Sequence, residues 1–136
     1  MTHSMVKAWG LGAVIVCLAY ATWFISLWAN QFTEVLAFFL WGAPALAAFV
    51  TAYLTPRRKI LMGTSMALLA AILAGILNFV CEALGRAVDF SGIRGMTILV
   101  VIFLAFNGML CIAGATCGYF LTRKSTSENQ SGFYRS

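Results

Sequence analysis

The chain has 136 residues, 62% of them hydrophobic and only 10% charged, with a formal net charge of +5 and a mean hydropathy of +0.91. A soluble domain usually carries about 25% charged residues, and a short chain keeps too much surface per unit volume to hide this much apolar area from water. The composition excludes an ordinary water-soluble fold and points to a lipid bilayer as solvent.

The first apolar run covers residues 8–28. Its basic lead, MTHSMVK, and the small-x-small stretch AYA at 19–21 fit a cleaved signal peptide, but the run continues through Thr22, Trp23, Phe24 and Ile25 to Trp28. A signal normally ends its apolar part before the cut, so a retained membrane helix is expected. Within it Ala13, Cys17 and Ala21 recur every four residues as a packing side. NQFTE leads to the second run, 35–54. There Pro44 removes one backbone donor and is expected to begin the regular part of the helix.

TPRRK leads to the third run, 61–84. Gly63, Ala67, Ala71 and Gly75 form a small-residue stripe that lets helix backbones approach closely, with Leu73 expected on a more lipid-facing side. GRAVDFSGIRG leads to the fourth run, 96–121, where Gly114 and Gly118 make a GxxxG pair. The polar stretch 125–136 is expected to be a mobile tail. Each run has roughly the 20 residues needed to cross a hydrocarbon core and must be helical to satisfy its backbone there. The prediction is an all-α integral membrane protein, with four antiparallel transmembrane helices forming a compact bundle within residues 1–124. At an offset of 66, Gly42, Ala47 and Tyr53 match Gly108, Ala113 and Tyr119. Either a duplicated hairpin or the shared needs of two similarly oriented helices accounts for this.

Orientation follows from Lys and Arg. With four spans, Lys7, Arg57, Arg58, Lys59, Arg123, Lys124 and Arg135 share one side, and only Arg86 and Arg94 lie on the other. The positive-inside rule places the richer side, with both termini, in the cytoplasm of a cell inner membrane. The positive charge is thus an orientation signal, with no nucleic acid implied.

Polar residues inside the runs are the candidate functional groups. Asn78, Glu82 and Arg86 recur every four residues and would share a helical face, while Asn107 lies in the middle of the fourth run. At about 1.5 Å per residue, Glu82 sits about 30 Å from Leu61, close to the outer interface. The two readings are an interfacial Glu82–Arg86 ion pair with Asn78 and Asn107 as interhelical hydrogen-bond glue, or a pathway for ions. Cys17, Cys81, Cys111 and Cys117 contain no CxxC pair, and His3 is the sole histidine, so neither a metal site nor a cofactor is expected. No HExxH, GxSxG or phosphate-cradling loop occurs, and no catalytic residue is expected. The expected function is non-enzymatic: an accessory or assembly subunit of a membrane complex, or a homo-oligomer. Its partners would be the lipid bilayer and other membrane subunits or further copies of itself. The alternative is a small transporter or channel using Asn78, Glu82 and Asn107 in an oligomeric pathway.

Overall fold

The computed structural model describes residues 3–29, 34–86 and 90–133, with backbone alone for residues 37 and 124–133. Its elements are α1 (His3–Trp28), α2 (Glu34–Leu54), α3 (Lys59–Ala83) and α4 (Gly92–Phe133), and among the described residues there is no strand. All four helices contain a stretch long and apolar enough to cross a membrane; in α4 that stretch is Gly92–Arg123. α1 begins at His3 rather than 8, and α4 continues to Phe133, so the segment read as a tail has helical backbone as far as residue 133. Elongating an existing helix avoids the cost of a new nucleus, which allows a polar sequence to follow an apolar one.

The helices alternate in direction, and close contacts between glycines and neighbouring helices show how they pair. A Cβ on Gly114 of α4 would collide with the Ala45 carbonyl of α2, and one on Gly118 would lie 2.7 Å from the Phe49 carbonyl. The four-residue step is matched on both helices, so α2 and α4 run parallel and side by side. α3 runs against them: Gly63 faces Ala115 of α4, whereas Gly75 faces Val100. α1 runs with α3, since the Trp9 indole donates to the Ser65 hydroxyl at 3.0 Å and Gly12 faces Met66. α1 lies against α2 and α3, and among the described residues its backbone keeps clear of α4.

Small residues fill the interior. Gly63, Ala67, Ala71 and Gly75 are all buried, while Leu68, Ile72 and Ile76 face outward. Leu73 differs from expectation: it is packed against the core rather than turned to the outside. The inward side of α1 also differs. Gly12, Val16, Ala19 and Tyr20 are buried, whereas Cys17 and Ala21 are exposed. Pro44 likewise sits well inside α2 instead of opening it, leaving the Leu40 carbonyl without the i+4 donor it would otherwise have. All four cysteines are free thiols. In the turn from α2 to α3, Arg58 precedes the first residue of α3 with a left-handed φ of 52°.

Candidate functional site

The polar stretch at the end of α3 is a helix stop joined to a helix start. Gly85 takes φ 74°, its N–H donates to the Glu82 carbonyl, and the Arg86 N–H donates to the Cys81 carbonyl, both at 3.0 Å. This is the Schellman arrangement, in which a left-handed glycine satisfies the last carbonyls of a helix. Because α3 ends at Ala83, Arg86 no longer lies on the helical face that an i,i+4 pair with Glu82 requires.

Each group has another role. The Glu82 carboxylate accepts from the Gly92 backbone N–H at 3.0 and 3.3 Å. That N–H is an unpaired donor at the first turn of α4, where a negative charge is also favoured by the helix dipole. The Asn78 side-chain amide donates to the Phe90 carbonyl at 2.8 Å. The Arg86 guanidinium lies over the Trp28 ring, 5.6 Å from its centroid, within cation–π range. Gly95 completes the connection, since a Cβ there would approach the Phe90 backbone to 2.7 Å. Asn78, Glu82 and Arg86 thus gather at one junction that joins the end of α1, the end of α3 and the start of α4.

Asn107 is elsewhere, fully buried in the bundle. Tyr20 of α1 reaches towards it, but among the described residues neither amide atom of Asn107 nor the Tyr20 hydroxyl completes a well-formed hydrogen bond. One turn along α4, the Cys111 thiol donates to the Pro44 carbonyl at 3.3 Å. Buried polar groups are normally paired, so Tyr20 and Asn107 are under-satisfied inside the bundle, as is the fully buried Thr51 hydroxyl. Sequence reasoning misses Tyr20, because AYA at 19–21 resembles a cleavage site. A tyrosine midway along an apolar run was the available signal.

Among the described residues, no group of three or more His, Cys, Asp or Glu side chains stands close enough to hold a metal ion. Comparison with protein-family models, curated proteins and solved structures finds no match to this chain.

Proposed function

We propose that this is a non-enzymatic, multi-pass protein of the cytoplasmic membrane that works through lateral helix contacts, as an accessory or assembly subunit of a membrane complex or as a homo-oligomer. Both termini and the α2–α3 turn face the cytoplasm in this reading, on the strength of the seven-to-two division of Lys and Arg. The observation that carries the functional part is the engagement of Asn78 and Glu82. Each is hydrogen-bonded to the backbone of the α3–α4 connection, which supports reading them as fold-holding groups rather than lining for a pathway.

The transporter reading draws on Asn107, whose buried, under-satisfied amide is the kind of intramembrane polar group that marks a route. Flux of protons and monovalent cations through liposomes holding the purified protein separates the two. The expected result is no protein-dependent flux from wild type. Robust flux lost in Glu82→Gln, with normal expression, would favour the transporter. Detergent extraction followed by mass measurement and identification of co-purifying subunits tests the assembly role; a lone monomer under mild conditions counts against it.

A further inference from the structure

Where α2 turns into α3, two adjoining clefts of about 630 and 410 Å³ open between the start of α3 and α4. Pro56, Arg58, Ile60 and Leu61 line the larger, Thr122 and Arg123 the smaller, and Lys59 and Tyr119 line both. Three cations and a phenol hydroxyl therefore stand beside an aliphatic wall, of which Leu61 is 62% exposed. Glu34 and Glu82 belong to the opposite end of the bundle, Asp89 falls in the sequence between α3 and α4, and Glu128 follows Arg123 by five residues.

Arg58 supplies a separate observation. Its φ of 52° is a conformation in which an L side chain is strained and glycine is not. Its side chain makes no capping bond to α3. The backbone alone is better served by glycine, so what arginine adds at this position is a guanidinium on the wall of the cleft.

We propose that the cleft binds the phosphodiester head of an anionic membrane lipid. Arg58, Lys59 and Arg123 face the phosphate, the Tyr119 hydroxyl donates to it, and an acyl chain lies along Ile60 and Leu61. Basic pockets between helices suit anionic heads, and arginine can meet a phosphate with two parallel hydrogen bonds. Free phosphate would engage the cations and leave the aliphatic wall uncovered, which is why the lipid is the chosen occupant. The inference rests on the reading that the bundle spans a bilayer.

The test uses the full chain. Flotation with phosphatidylcholine vesicles first establishes membrane association. Thermal unfolding in dodecyl maltoside is then followed with phosphatidylglycerol, phosphatidylcholine or inorganic phosphate. The proteins are wild type, Lys59→Gln, Arg58→Gly and Lys7→Gln, the last removing a cation that is not in the cleft. Phosphatidylglycerol is expected to raise the wild-type midpoint more than phosphatidylcholine does, with inorganic phosphate inert. Lys59→Gln should weaken the apparent phosphatidylglycerol affinity about fivefold, the worth of one basic residue near an anionic surface, and Lys7→Gln should leave it unchanged. Arg58→Gly should unfold at or above the wild-type temperature without lipid, yet gain less from phosphatidylglycerol. Those opposite signs are not produced by a merely structural arginine, and this variant carries the test if Lys59→Gln fails to fold. Equal stabilisation by the two lipids overturns the site, as does a phosphatidylglycerol effect that Lys59→Gln and Arg58→Gly leave intact or that Lys7→Gln removes equally. Stabilisation by inorganic phosphate at the same concentration overturns the lipid assignment. Failure to float overturns the membrane reading and this site together, a result distinct from flotation without lipid preference.

Discussion

A single carboxylate at the end of α3 decides how the second half of the chain is closed. Glu82 holds the first N–H of α4, and Asn78 holds the carbonyl of Phe90 two residues earlier. A hydrogen bond to a charged group contributes about 1.5–3 kcal/mol and a neutral one about 1 kcal/mol. Glutamine keeps a neutral acceptor and so loses only part of the charged bond, and Asn78→Leu loses a neutral one, so each variant should cost about 1 kcal/mol. Hydrogen exchange should quicken selectively at the first turn of α4, and unchanged exchange there would dissociate these residues from the connection. Asn107 poses the converse problem, a buried amide short of partners. Cys111 meets the Pro44 carbonyl, and 107 and 40 are separated by the same 67 positions as 111 and 44. On parallel helices this register sets Asn107 opposite Leu40, the residue whose carbonyl loses its helix donor to Pro44. The amide nitrogen has no partner among the described residues; if a small rotation of the side chain brings it to that carbonyl, Asn107→Leu should cost about 1 kcal/mol beside Pro44 and almost nothing in a Pro44→Ala background. Unfolding in detergent across the four combinations measures the coupling; equal costs in both backgrounds would sink the idea. The amide itself could be read in the sequence as an isolated polar residue in an apolar run, but its relation to Pro44 could not, because it depends on the register between helices distant in sequence.

Between elements, glycines differ sharply in how closely a neighbouring helix approaches them. Gly114 is closed against the Ala45 carbonyl, whereas Gly108, two turns earlier on the same helix, meets nothing within 4 Å. Gly114→Ala should therefore destabilise by about 1–3 kcal/mol, as overpacking does when the obstacle is a main chain. Gly108→Ala should be neutral or stabilise by up to about 1 kcal/mol through helix propensity. Loss of stability in both would mean that glycine content rather than close approach governs the bundle. Gly75 lies between these cases, because its obstacle is the Cγ2 of Val100, the tip of a side chain. The contrast between α1 and α3 shows what an apolar sequence discloses. On α3 the stripe of glycine and alanine lies inside against Leu68 and Ile72 outside, so size marks most of the inner face, although Met66 is fully buried too and Leu73 packs against the core. On α1 small and large residues occur all round, and Ala13, Cys17 and Ala21 compete with Gly12, Val16 and Ala19 on equal terms. Lipid is as apolar as leucine, so hydropathy gives no preference between the two faces. Helix number is legible because it follows from length and polarity alone, while the end of α3 turns on one left-handed glycine that a four-residue spacing rule overlooks.

For the molecule as a whole, the distribution of basic residues sets the expected topology. A reporter fused after Ser136 should be active in the cytoplasm, and one inserted at Ser91 should report the outside. A C-terminus on the outer side would revise both the orientation and the number of spans. The pairing of α2 with α4 bears also on biogenesis. A chain is released in order from its N-terminus, so, on the reading that the bundle spans a bilayer, α2 enters it well before its parallel neighbour exists. Throughout that interval the carbonyls of Ala45 and Phe49, later covered by Gly114 and Gly118, face whatever else is nearby. A hairpin of α1 and α2 is therefore an unfinished object until α4 covers those carbonyls. Nascent chains stalled before residue 92 should be preferred substrates for membrane proteases or insertion chaperones, and protection should arrive in one step with the emergence of α4.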